Sequence, residues 1–165
     1  MKQLAIAFLL VVVISVTSCY NKELDYTFNE TKLVELEDAV RRTPASGVTY
    51  PIIAVTRTSG TQSLMVNLVG EQLKSSQEMT FSIDTAISNL LSASTIRAVE
   101  GTHFNLNGGK FTFKQDTSFS FIRVNVLDVP AQTGRTALLL LKLDGSSDIK
   151  ASENYRRVGF RIDLK

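Results

Sequence analysis

The chain is 165 residues long, with 18 basic and 16 acidic side chains, a formal charge of +2 and 44% hydrophobic residues. That near balance argues against nucleic acid as a partner, because nucleic-acid-binding domains are usually far more basic. One cysteine and one histidine exclude a disulfide framework and leave too few ligands for an ordinary zinc site, so no metal or cofactor is expected.

At the start, Lys2 is the only charge before an apolar run from Leu4 to Ile14. The run is too short to cross ~30 Å of hydrocarbon, which takes about 20 residues. A basic start, an apolar core and small residues at its end describe an export signal. The small residues are Ser15, Thr17 and Ser18, and Cys19 follows. The stretch Val16-Thr17-Ser18-Cys19 resembles a bacterial lipobox, looser than the commonest Leu-Ala-Gly-Cys. The resemblance implies a lipoprotein signal peptide over residues 1–18, with cleavage before Cys19, a diacylglycerol on its sulfur and an acylated amine. A thiolate suits that transfer because it is nucleophilic near neutral pH. Two alternatives stand beside it: a free or intermolecular thiol, and a plain signal peptide cut elsewhere. Only the lipoprotein reading accounts together for the lone cysteine, its position and the missing disulfides. Three acyl chains at ~0.8 kcal/mol per buried CH₂ make a stable anchor, so the expected protein is anchored to a membrane and does not span it.

After Cys19 come Tyr20, Asn21, Lys22, Glu23, Leu24 and Asp25. A lysine followed by acids at this place resembles the surface-export signal of Bacteroidota outer-membrane lipoproteins. It implies an outer-membrane protein facing the cell exterior; the alternative is an ordinary polar tether.

Removal of residues 1–18 leaves 147 residues with a formal charge of +1, since only Lys2 is lost. That length fits one domain and buries about 70% of its unfolded surface, so neither disulfides nor a metal are needed to hold it. The expected organisation is a lipidated tether over 19–31 and one β domain over 32–165.

Within 32–165, short runs rich in Val, Ile, Phe and Thr alternate with polar punctuation, the pattern of strands. The expected strands are Leu33–Glu37, Thr49–Arg57, Ser63–Gly70, Glu78–Asp84, Gly109–Lys114, Ser118–Leu127, Thr136–Leu143 and Arg157–Leu164. Leu64, Val66 and Leu68 share one face, as do Ile122, Val124 and Val126; Val158, Phe160, Ile162 and Leu164 alternate with Arg157, Gly159, Arg161 and Asp163. Leu138 to Leu141 is continuously apolar, as in a central strand buried on both faces. Near 85–92 the spacing of Ala86, Ile87, Leu90 and Leu91 predicts a short helix capped by Asp84. Turn signals such as Asn107-Gly108-Gly109 and Asp144-Gly145-Ser146-Ser147 separate the strands. The sum is an all-β, immunoglobulin-like antiparallel β-sandwich of about 7–8 strands. With the last strand reaching Leu164, no catalytic segment is expected behind it.

One stretch is more distinctive: Arg97-Ala98-Val99-Glu100-Gly101-Thr102-His103-Phe104-Asn105-Leu106, then Gly108-Gly109-Lys110-Phe111-Thr112-Phe113. It resembles the A-x-E-G-T-D/H-Y turn and following strand of small Bacteroidota lipoprotein domains of unknown function. Related A-x-x-G-x-D-Y turns occur in Calx-beta domains, which are immunoglobulin-like sandwiches. Glu100, Gly101, Thr102, His103 and Phe104 form the expected structural turn: Gly101 can take a positive φ, Thr102 can hydrogen-bond locally, and Phe104 and Leu106 can enter the core. His103 and Phe104 replace the Asp-Tyr pair of Calx-beta turns, and no carboxylate cluster surrounds them, so calcium binding is not carried over. The resemblance implies a non-catalytic surface lipoprotein, with a binding or accessory role beside glycan-uptake machinery. An outer-membrane transporter, a glycan-binding lipoprotein or a polysaccharide would be its partner.

No catalytic constellation stands out. His103 lacks a recognisable nucleophile motif. Glu35, Glu37 and Asp38 lie near an expected edge strand, where carboxylates usually face water, and Asp144 and Asp148 flank a loop as solvated acids or weak calcium ligands. Candidate contact residues are Tyr50, Phe119, Phe121, Arg123, Tyr155, Arg157 and Arg161. Phe119 and Phe121 share the Arg123 face of their strand; they form either a contact patch or, the commoner case, a second buried face or a bulge that shifts the register. Arg156, Arg157 and Arg161 would touch acidic sugars or lipid headgroups, or guard a sheet edge. Asp84-Thr85-Ala86 resembles an O-glycosylation acceptor of these bacteria, with Thr85 the modified residue. The alternative function is a structural or adhesin-type subunit that contacts other proteins.

Overall fold

The computed structural model describes residues 32–165, so the leader, Cys19 and the tether lie outside the described residues. In chain order the elements are β1 (Leu33–Leu36), α1 (Glu37–Arg41), β2 (Ile52–Thr56), β3 (Thr61–Val69), β4 (Gln77–Ile83), β5 (Thr95–Arg97) and β6 (Phe104–Asn105). They continue with β7 (Lys110–Phe113), β8 (Phe119–Val126), β9 (Thr136–Gly145), β10 (Lys150–Ala151) and β11 (Arg157–Asp163).

β9 is the axis of the first sheet. It pairs along one side with β11, from Arg157↔Lys142 to Asp163↔Thr136. Its other side is shared by β5, at Thr95↔Thr136, and β4, at Phe81↔Leu143. β2 extends this sheet beyond β11, and β7 extends it beyond β4. The second sheet runs β10–β1–β3–β8–β6, and the two join where Lys150 pairs with Gly145. The architecture is the immunoglobulin-like sandwich that the strand pattern predicts.

Three pairings depart from the antiparallel expectation: β1 with β10, β2 with β11 and β5 with β9 are parallel. Each joins strands far apart in the chain, so no hairpin dictates direction. Side-chain alternation is the same for either direction, which is why the sequence pattern does not distinguish them.

The core lies between the sheets. Leu64, Val66 and Leu68 of β3 and Ile122, Val124 and Val126 of β8 face Ala137, Leu139, Leu141 and Leu143 of β9 and Val158, Phe160 and Ile162 of β11. Each such aliphatic side chain contributes roughly 1.5–3 kcal/mol when removed from water. A smaller cluster covers the outer face of the first sheet: Leu138 and Leu140 lie under Tyr50 and Ile87, with Val48, Ile52, Leu90 and Leu91 packed around them. β9 is thus buried on both faces, which explains its unbroken apolar run.

Local differences have local causes. The strand expected over Leu33–Glu37 ends at Leu36, and α1 follows. Glu37 and Asp38 in its first turn pair with Arg41 (3.6 Å) and Arg42 (2.5 Å) one turn on, and this charge order suits the helix dipole. β1 is no edge, since β10 and β3 flank it. The helix expected near 85–92 contracts to one 3-10 turn, Ser88–Leu90. Asp84 accepts the Ala86 N–H at 2.9 Å instead of capping a helix, and Ile87 turns into the smaller cluster. β5, β6 and β10 were not expected; at two or three residues they are too short to show a period.

Candidate functional site

Alternation on β8 decides what its outer face carries. Ile122, Val124 and Val126 point inward, so Phe119, Phe121, Arg123 and Asn125 point out. Phe119 is 53% exposed and Phe121 47%. Their ring centroids lie 5.8 Å apart with planes at 76°, an edge-to-face pair. The reading of these two rings as a second buried face is therefore wrong. Opposite them on β3, Asn67 faces Phe119, half-buried Met65 faces Phe121, and Ser63 faces Arg123.

Beside this strip the sandwich has an open side. Among the described residues, β8 pairs with β6 only at Asn125 and Val126, and β7 pairs only with β4. Between β7 and the unpaired stretch of β8 runs a groove of about 490 Å³. Lys110, Thr112 and Lys114 come from β7 and the residue after it, Phe121 and Arg123 come from β8, and Phe111 and Leu106 are the buried residues that reach it. The Ser120 hydroxyl donates to the Thr112 carbonyl across it at 2.6 Å. Lys110 is paired with Glu78 at 2.7 Å. Among the described residues, Lys114 and Arg123 have no carboxylate partner.

The remaining candidates do not gather here. Tyr50 is buried at 6% exposure, its hydroxyl 3.5 Å from the Ala86 carbonyl, so it is a core residue and not a surface contact. Burial, and then the Asp84 charge, push its phenol up against the opposing pull of Arg157. Arg157 and Arg161 lie on the outer face of the first sheet, across the sandwich from Phe121. Arg157 pairs with Asp84 at 2.7 Å, and Arg161 lines a separate shallow groove with Thr95, Thr136 and Asp163. β11 is flanked by β2 and β9, so these arginines do not guard an edge. Tyr155 is exposed in the loop before β11, and its carbonyl accepts the Leu36 N–H at 2.9 Å.

The turn of Glu100 to Phe104 is internally bonded. The His103 N–H donates to the Val99 carbonyl at 2.8 Å, while His103 Nδ1 accepts the Val99 N–H at 3.0 Å. Glu100 Oε1 accepts the Leu106 N–H at 3.2 Å, and Gly101, at φ +78°, donates to the Phe104 carbonyl at 2.8 Å. His103 is 6% exposed and Phe104 fully buried. With Nδ1 engaged by the backbone, the ring is not placed to activate a nucleophile.

Calcium takes 6–8 oxygen ligands. Among the described residues no group of three or more His, Cys, Asp or Glu side chains converges. Glu100 is engaged as above, Asp144 pairs with Lys142 at 3.2 Å, and Asp148 accepts the Ser147 hydroxyl at 3.0 Å. This donor set does not fit a calcium ion. Thr85 is exposed beside the Asp84–Arg157 pair. Sequence pattern alone could place Phe119 and Phe121 outward by parity with Arg123. It held no signal for Lys110 and Lys114, which reach the groove only because β7 and β8 lie side by side.

No family model and no curated protein matches the chain. Among solved structures, it is similar to the apo form of the Calx CBD1 domain at 14% identity and TM-score 0.52, over 81% of this chain and 98% of that one. It is also similar to a candidate carbohydrate-binding protein from Bacteroides ovatus, at 11% identity and TM-score 0.53, over 80% of this chain and 37% of that one. A second Bacteroides ovatus protein, of unknown function, matches at 12% identity and TM-score 0.53, over 79% and 44%. The chain thus spans nearly all of the Calx domain but less than half of either bacterial chain, and at these identities the likeness shows the fold alone.

Proposed function

We propose that the protein is a surface lipoprotein, anchored through Cys19 to the outer membrane and facing outward. Its sandwich acts as a non-catalytic module that captures glycan beside an outer-membrane transporter or glycan-binding lipoprotein. The observation that carries the reading is the exposed Phe119–Phe121 pair at the lip of a groove whose other groups are polar and cationic. Soluble domains rarely leave two adjacent aromatic rings in water without a use, and a groove with an apolar wall and a few polar groups suits a sugar's mixed faces. The Bacteroides ovatus neighbour described as a candidate carbohydrate-binding protein supports the same direction. Tyr155, Arg157 and Arg161 lie away from this groove and take no part in capture in this reading, and the exposed Thr85 is the site of O-glycosylation.

The alternative, a structural or adhesin-type subunit, draws support from β2, which among the described residues pairs only with β11. An open strand edge is a template for another chain.

The test is a glycan array probed with full-length protein in detergent, alongside the variant Phe119→Ala/Phe121→Ala. Binding to a defined glycan that the variant loses supports capture at this face. Binding to no glycan by a protein with intact circular dichroism removes the reading and leaves the structural one. Palmitate labelling of the wild type and its loss in Cys19→Ser tests the anchor separately.

A further inference from the structure

We propose that the groove between β7 and β8 selects an anionic polysaccharide, one that carries carboxylates or sulfates along the strand; this rests on the glycan reading above and narrows it. The argument is one of charge and placement. Lys110, Lys114 and Arg123 reach the groove and, among the described residues, no carboxylate lines it. Lys110 is held by Glu78, which leaves Lys114 and Arg123 to meet a ligand. Asp116, in the connection between β7 and β8, accepts the Gln115 amide at 3.1 Å; on the outer face of the second sheet, Glu35 and Glu37 sit beyond β3 on β1 and α1, and the Glu37 side chain accepts a hydrogen bond from Asn67.

Lys114 follows β7 and Arg123 lies on β8, so the groove presents two cations along its length that have no carboxylate partner among the described residues. The two walls are tied to each other by the Ser120–Thr112 bond. Arg123 offers a planar fork to a carboxylate or sulfate, and Lys114 a point charge. Phe121 stands beside Arg123 in the same groove, with Phe119 packed on it edge to face. Because the two ring planes are almost perpendicular, they cannot form one flat platform. One ring is available to lie against the C–H face of a sugar while the other walls it.

The test compares polymers that differ only in charge, using the full-length protein in detergent. Polygalacturonate is set against its methyl ester, and dextran sulfate against dextran; the first pair reads carboxylate recognition and the second sulfate. The expected result is that a charged polymer binds and its neutral counterpart does not. Affinity should fall about tenfold or more in Lys114→Gln/Arg123→Gln, the size expected when charge-assisted bonds are lost. It should also fall in Phe121→Ala, and weaken as salt rises. Lys74→Gln/Lys150→Gln, which removes two exposed charges elsewhere, should bind as the wild type does. Equal loss in that control would mean non-specific charge attraction and overturn the proposal. Equal binding of charged and neutral polymers, lost in Phe121→Ala, would overturn anion selection while leaving glycan capture standing. Failure of every polymer to bind the folded protein would remove both.

Discussion

Arg157 Nε donates to Asp84 Oδ2 at 2.7 Å, and this bond ties the last strand to the segment that crosses the outer face of the first sheet. The Asp84 side chain is 12% exposed, so the pair is partly shielded from solvent. Asp84 also accepts the Ala86 N–H, which starts the turn that places Ile87 over Leu138 and Leu140. One carboxylate thus holds both the entry of the covering segment and its contact with β11.

This arrangement sets a pH dependence. Burial opposes ionisation of Asp84, but the Ala86 N–H, the Arg157 bond and charge, and Lys142 outweigh it and hold its carboxyl below the usual range. The folded state therefore binds this proton less readily than the unfolded one. The stability it contributes is complete above the unfolded value of ~3.9 and is lost as pH falls through the lower folded value. Asp84→Asn should cost about 1–3 kcal/mol at pH 7, the worth of hydrogen bonds to a charged group. The gap to the wild type should narrow as pH falls below the unfolded value of ~3.9. Urea unfolding of both proteins at pH 7 and pH 3 measures it, and an undiminished gap at pH 3 would count against the charge as cause.

The aromatic residues divide sharply by face. Phe113 is fully buried, with its ring edge-to-face on Phe111 at 5.9 Å, so Phe113→Ala should cost about 3–5 kcal/mol. Phe119→Ser/Phe121→Ser removes two rings that water already reaches and should change stability by no more than about 0.5 kcal/mol per site. Denaturation midpoints of the two variants make the comparison. A large loss from the surface pair would mean that the rings hold the fold together.

How much of this was visible in the sequence follows from what each pattern encodes. Period-two alternation on β3, β8 and β11 places the inward residues correctly, because burial of one face selects apolar side chains at every second position. The same parity sets Phe119 and Phe121 beside Arg123. Strand partners are another matter: no local residue reports that β2 lies parallel to β11, and the short connection that makes β7 and β8 neighbours does not report that they stand apart without pairing and leave a groove. Tyr50 was misplaced for a related reason. It lies inside the expected strand Thr49–Arg57, of which only Ile52–Thr56 is a strand, and only the fold brings Ile87 and Leu140 against it.

The turn between β9 and β10 gives a further prediction. Gly145 has φ +83°, and a Cβ there would stand 2.4 Å from the Ile149 carbonyl oxygen and 3.1 Å from the Ala151 nitrogen. The left-handed conformation alone costs an L-residue about 1–2 kcal/mol, and backbone atoms cannot yield as a flexible side chain would. Gly145 is also where the two sheets join through Lys150. Gly145→Ala should therefore cost more than about 2 kcal/mol, read from chemical denaturation. A variant as stable as the wild type would show that this junction relaxes freely.

Glu35 provides the opposite sign to Asp84. It is half-buried on β1, and its carboxyl is pushed up first by burial and then by the charge of Glu37. A raised folded value means that the folded state favours the protonated form. Its favourable contribution is present below the unfolded value of ~4.3 and is lost as pH rises through the folded value. At pH 7 the ionised carboxylate is therefore a cost to the fold. Glu35→Gln keeps the shape and removes the charge, so it should raise stability at pH 7 by a few tenths of a kcal/mol, on the order of what screened surface charges are worth. At pH 4 the wild type is largely relieved of that cost, and the two proteins should melt together. Thermal unfolding at both pH values measures this; destabilisation by the glutamine at pH 7 would mean that the carboxylate makes a favourable bond outweighing its burial.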